Sequence, residues 1–150
     1  MQLLEASSEI DVPAARAWQV LADLASYADW NPFIVAAEGE LRVGEHLKVT
    51  LRAPDRPAVT FRPRILALEP GHLITWKGQW LLPGLFDGRH TLHVEPLGDS
   101  RCRFTTHEEV TGILLPLLGG IMRDSQRGFE DFAAAVKARA EETAANPAGS

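Results

Sequence analysis

The chain has 150 residues, a hydrophobic fraction of 45%, a charged fraction of 23% and a formal net charge of -5. That length suits one domain around one core, and the composition excludes a collagen-like, coiled-coil or largely disordered chain. The acidic balance, without clustered Lys and Arg, argues against nucleic acid as a partner, because neutralising phosphates takes concentrated positive charge.

Cys102 is the single cysteine, which excludes an internal disulfide and a multi-cysteine zinc site and fits a reducing cytoplasm. Residues 1–5 carry neither the basic flank nor the apolar run of a secretory leader, and no stretch reaches the ~18 apolar residues of a spanning helix. A cytoplasmic protein without integral membrane association is therefore expected. Residues 3–12 alternate loosely and predict an opening strand. Pro13 then opens a helix over 12–24, in which Ala17, Trp18, Leu21 and Leu24 recur at helical spacing. A short helical turn over 26–31 must end before Pro32.

From Phe33 the texture changes to runs rich in β-branched and aromatic residues. Turn signals punctuate them at Val43-Gly44, Ala53-Pro54-Asp55, Glu69-Pro70-Gly71, Pro83-Gly84 and Gly98-Asp99. About six antiparallel strands follow from that spacing, so about seven with the first. After Gly119-Gly120, the residues Ile121, Ser125, Phe129, Phe132, Ala133 and Val136 fall on one stripe of a long helix over 121–140. The small, polar residues 143–150 are expected to fray. The order is α+β and lacks βαβ units, a Walker-type loop and GxGxxG, which argues against a doubly wound nucleotide fold. One domain spanning 1–142 is expected.

Several segments carry a family resemblance: Tyr27-Ala28-Asp29-Trp30-Asn31-Pro32-Phe33-Ile34, Val43-Gly44, Phe61-Arg62-Pro63-Arg64-Ile65 and Leu68-Glu69-Pro70-Gly71. Pro83-Gly84-Leu85-Phe86-Asp87-Gly88, His90 and Glu108-Glu109-Val110-Thr111-Gly112 continue the series. In order and spacing they resemble the START-like, or SRPBCC, superfamily, and its polyketide cyclase/dehydrase-like bacterial branch in particular. Ala28 departs from the proline that the family turn often carries. The resemblance implies a helix-grip fold, a curved antiparallel sheet wrapped around a long carboxy-terminal helix. It also implies a pocket, and its members include lipid and polyketide binders, cyclases and co-chaperones.

Strand alternation predicts what lines such a pocket. Phe86, Gly88, His90, Leu92 and Val94 share one face of their strand, and Cys102, Phe104, Thr106, Glu108 and Val110 share the inward face of the next. Trp76 and Trp80 share a face with Ile74 and Gly78, and Phe61, Leu47, Val49 and Leu51 complete the lining. The expected ligand contacts are Trp30, Phe61, Trp76, Phe86, His90, Phe104, Glu108, Ser125 and Phe129, around a cavity of a few hundred Å³. His90 and Glu108 have two readings: structural groups that satisfy each other, or polar anchors and a general acid/base pair tuned by burial.

His46 and His72 fall in turns and His93 and His107 on the outer face, so no metal site and no cofactor are expected. Cys102, without a basic neighbour on its face, reads as a small packed hydrophobe. The apolar segments 81–85 and 113–118 read as two lips of a cavity mouth or as a contact for a partner such as a second copy of the chain. Binding of a hydrophobic or aromatic small molecule is the first functional expectation. A cyclase or dehydratase using His90 and Glu108 is the second, and a protein-interaction module the third.

Overall fold

The computed structural model of the protein describes residues 1–79 and 82–145. β1 (Gln2–Ile10) leads through α1 (Ala14–Ala22), a 3-10 turn (Leu24–Ser26) and α2 (Tyr27–Trp30) into seven further strands. These are β2 (Ile34–Glu38), β3 (Lys48–Leu51), β4 (Val59–Phe61), β5 (Arg64–Glu69), β6 (Leu73–Gln79), β7 (Asp87–Pro96) and β8 (Cys102–Thr111). A second 3-10 turn (Leu115–Leu117) precedes α3 (Gly119–Ala145).

The strands pair in the orders β1-β8-β7-β6-β5 and β2-β3-β4, and every described pairing is antiparallel. Eight strands stand where about seven were expected, because Arg62-Pro63 interrupts one run of chain and splits it into β4 and β5. Proline has no N–H to extend a ladder. Backbone bonds from Leu47 N to Pro63 O (2.8 Å) and from Ile65 N to Glu45 O (2.9 Å) carry the edge across the break. The break therefore bends the surface into a trough.

α3 lies in that trough and is tied along β1. Ser8 Oγ donates to the Ala133 carbonyl (2.8 Å), the Gln126 amide exchanges bonds with the Glu5 backbone (3.1 and 2.8 Å), and Lys137 Nζ donates to the Glu9 carbonyl (2.8 Å). The expected inward stripe is observed, with Phe129, Phe132, Ala133 and Val136 buried and Ile121 and Ser125 half-buried; Met122 and Ala140 join the buried set. The helix starts two residues earlier than expected and runs on to Ala145.

α1 is shorter than the expected 12–24: Pro13 is extended (φ -60, ψ 150), so the helix begins at Ala14, and Asp23 ends it. α2 stops before Pro32 as the steric rule requires, with Asn31 extended at ψ 114. The Asn31 side-chain Oδ1 accepts from the N–H groups of Phe33 (3.0 Å) and Ile34 (2.9 Å), which turns the chain into β2. Among the described residues, no helix is long and apolar enough to cross a membrane.

Candidate functional site

The sheet register arranges the inner face in rows. Ala6, Thr106, Leu92 and Ile74 stand side by side; next come Leu4, Glu108, His90 and Trp76; then Val110, Gly88 and Gly78. The first row is packed. In the last row, Gly88 and Gly78 pair directly with each other and put no side chain into the interior. Between that bare floor and the amino-terminal turns of α3 lies an apolar cavity of about 260 Å³.

Phe61, Trp76, Phe86 and Phe129 supply aromatic walls, Val49, Leu51, Ile121 and Met122 aliphatic ones, and His90 and Glu108 stand on the sheet side. Ser125 faces them from α3. The volume agrees with the few hundred Å³ expected.

His90 is almost wholly buried (2% exposed) and held on several sides. Its Nε2 is 2.6 Å from the Thr106 hydroxyl, its ring stacks on Phe129 (centroids 5.0 Å, 16°), and Trp76 meets it edge-on (5.3 Å). Burial, assisted by the charge of His107, pulls its pKa down to about 3, so the imidazole is neutral at physiological pH. The nearby carboxyl does not reverse this, because loss of water around an enclosed imidazolium outweighs one neighbour that is itself only about half ionised near neutrality.

Glu108 sits opposite His90 in the register, with its Oε2 3.6 Å from His90 Nδ1, too far for a hydrogen bond. Burial pushes its carboxyl up to about 7. The side chain leans over Gly88, where any Cβ would collide with Glu108 Oε1, and retains 17% exposure because it borders the cavity. Gly88 thus makes room for the carboxyl, while Gly78, whose Cβ would meet only Pro63 at 3.7 Å, leaves the floor open.

At the mouth, the loop before β4 is fastened to α3. Arg56 Nε donates to Asp124 Oδ2 (2.6 Å), and Arg127 reaches both Asp124 (3.3 Å) and Asp55 (3.4 Å). The Arg56 hydrogen bond holds the Asp124 carboxyl below its usual range. The segments expected to form two lips are instead joined to each other, by Ile113 N to Gly84 O and Leu114 N to Leu85 O (both 3.1 Å). Leu82, Ile113 and Leu117 on these joined segments are exposed by 64%, 75% and 79%, and none of residues 82–85 or 113–118 lines the cavity, so they do not form the lips of its mouth.

Residues 1–143 match the family model described as polyketide cyclase / dehydrase and lipid transport. The chain belongs to this family. Solved structures with the same fold include the Zhui aromatase/cyclase of Streptomyces sp. R1128, with 18% identity, 95% of each chain covered and a TM-score of 0.73. A START superfamily protein of Mycobacterium smegmatis is similar at 18% identity, over 93% of this chain and 97% of that one, with a TM-score of 0.74. Protein MLL2253 of Mesorhizobium loti matches at 14% identity over 95% and 98%, also at 0.74. At such identities the likeness is one of fold. No curated protein matches the sequence.

Within this family fold, Phe61, Trp76, Phe86, His90, Glu108, Ser125 and Phe129 line the cavity as alternation and helical spacing led one to expect. Trp30 does not. Its indole Nε1 donates to Ser26 Oγ (3.0 Å) and its ring meets Tyr27 edge-on at 5.1 Å, so it braces the turn before β2 instead. Phe104 does not either; it lies four residues before Glu108 on β8, fully buried against Phe132 (5.3 Å), in the packed end of the core. Leu47 is likewise core rather than lining. Trp80 lies outside the described residues.

Alternation placed Thr106, Gly78 and Gly88 on inward faces without giving them a role, and Arg56 was not expected near the cavity. The glycines had a signal, since an interior strand glycine on an inward face often marks open space or a close approach. Arg56, in a loop, had none. Cys102 is buried and its thiol pKa is raised by burial, in keeping with a packed small side chain. Among the described residues, no three His, Cys, Asp or Glu side chains come together as a metal set.

Proposed function

We propose that the protein binds a small hydrophobic or aromatic molecule inside this cavity. The observation that carries the reading is the paired Gly78 and Gly88 beneath a ring of aromatic side chains. A core under selection for stability alone would fill such a space, because a void forfeits dispersion contacts on every side. Family membership supports the same reading, as its description joins cyclases and dehydrases with lipid transport. Native mass spectrometry of freshly purified protein tests it, with a retained small molecule expected. Empty protein that also fails to bind any of a panel of mono- and bicyclic aromatic probes would overturn it.

A second reading has one specific observation in its favour: a carboxyl that titrates at about 7 stands on the cavity wall. That is the range in which a side chain can both give and take a proton, as a cyclase or dehydratase would need. In that reading Glu108 is the acid/base group. His90, which stays neutral and makes no hydrogen bond to Glu108, does not share the proton transfer. Glu108→Gln would then lower kcat by roughly 10²–10⁴ with KM nearly unchanged. A variant that only binds ligand more weakly would leave the first reading alone in place.

A further inference from the structure

The cavity is apolar on nearly every side, yet its sheet wall carries one carboxyl that the protein leaves without a match. Among the described residues, no hydrogen-bond donor reaches Glu108. The nearest, His90 Nδ1, is 3.6 Å away, and His90 is already engaged through Nε2 with Thr106. The one cationic side chain on the lining, Arg56, is committed to Asp124 at the mouth. Of the elements around Glu108, β1 presents Leu4, β6 Trp76, β7 His90 and α3 Met122, Ser125 and Phe129. Arg89, His107 and Glu109 alternate to the opposite face of the sheet, where they line a shallow depression.

A carboxyl buried without a cation costs stability when ionised, and the natural compensation is a positive group brought by the ligand. The walls suit such a group, because the faces of Trp76, Phe61 and Phe86 carry negative quadrupole density that attracts an organic cation. A carboxylate would face ionised Glu108 with like charge, and a neutral carbonyl would find donors only in the Ser125 hydroxyl, the Gln79 amide and, below about pH 7, the protonated Glu108 itself.

We propose that the cavity selects small aromatic or arylalkyl amines, with the Glu108 carboxylate receiving the ligand's ammonium. The proposal rests on the reading of the cavity as a small-molecule site and adds the chemical class of the ligand. It carries a consequence for pH. The ammonium pairs only with ionised Glu108, so amine affinity rises as pH climbs through about 7, and binding below that pH expels a proton.

The test uses three probes of nearly equal size, 2-phenylethylamine, 2-phenylethanol and phenylacetate, titrated calorimetrically into the wild-type protein between pH 6 and pH 8.5. The expected result is an amine that binds at least about tenfold tighter than the alcohol at pH 8, a preference worth about 1.4 kcal/mol. Its affinity should increase from pH 6 to pH 8 while that of the alcohol stays level, and phenylacetate should bind weakest. Glu108→Gln should bring the amine-to-alcohol ratio down to about one. An alcohol that binds as well as or better than the amine at every pH overturns the amine assignment and leaves the cavity reading standing. Tightest binding by phenylacetate overturns it also, in favour of an anionic ligand held at Arg56. If none of the three binds, and the broader aromatic panel fails too, both readings fall together.

Discussion

The two ends of the interior are built on the same strands and the same helix, yet one is solid and the other hollow. At the solid end, Val94 pairs with Phe104, and Phe104 packs edge-on against Phe132 of α3. At the hollow end, Gly78 pairs with Gly88, and α3 is tied to β1 by the Gln126–Glu5 bonds while the cavity separates it from β6 and β7. Between them the row of Trp76, His90 and Glu108 forms a boundary, with His90 stacked on Phe129. Backbone geometry is continuous through all three zones. What changes along β6 and β7 is side-chain volume: two glycines stand in register, and although the Glu108 side chain lies over one of them, the interior there holds a cavity.

The largest expected effect contrasts truncations at the two ends. Phe104→Ala should cost about 3–5 kcal/mol of unfolding free energy, because it deletes a fully buried ring from a packed region. Phe86→Ala, at the half-buried cavity wall, should cost well under half as much. Urea unfolding of both variants measures the difference, and equal costs would mean that the two ends do not differ in packing.

The boundary row should show itself through pH. The folded-state pKa of Glu108 lies above 4.5, so the folded protein keeps a proton that the unfolded chain gives up between pH 4.5 and about 7. The contribution of Glu108 to stability therefore falls as pH rises through that window. His90 acts in reverse: its folded pKa of about 3 lies below 6.5, so its contribution falls as pH drops from 6.5 towards 3. The two slopes cancel between pH 4.5 and 6.5. Removing one exposes the other, so Glu108→Gln should gain about 3 kcal/mol relative to wild type between pH 4.5 and 7.5. A difference that stays constant with pH would show that Glu108 is not buried as described.

Filling the hollow end sharpens the comparison further. A Cβ at Gly78 would meet only Pro63 at 3.7 Å, an ordinary contact, so Gly78→Val should fold with stability within about 1 kcal/mol of wild type while ligand affinity falls by more than tenfold. Unchanged affinity would place the ligand elsewhere. The smallest effect is expected at Trp30. Trp30→Phe loses the bond to Ser26 Oγ and about 1 kcal/mol, with ligand affinity unaltered. A change in affinity would return Trp30 to the binding site.

Much of this was legible in the chain. Alternation along β7 and β8 separated inner from outer side chains correctly, including His90 and Glu108, because strand periodicity is two and one face must avoid water. Helical spacing found the buried stripe of α3 for the same kind of reason. Trp30 and Phe104 were misplaced because periodicity assigns a face and says nothing of depth. Phe104 does point inward, but to a level of the trough that Phe132 fills. Trp30 sits in a turn whose own hydrogen bonds capture it.

The sequence by itself determined the order of elements, the antiparallel pairing implied by short turns, and the face on which each strand residue lies. All of these follow from local sterics and from the exclusion of apolar groups from water. Only the tertiary structure decided that Gly78 and Gly88 stand side by side, that Thr106 engages His90, and that Arg56 closes on Asp124. Those facts depend on register between strands and on where α3 crosses them, quantities summed over contacts between residues distant in the chain, which no local pattern encodes.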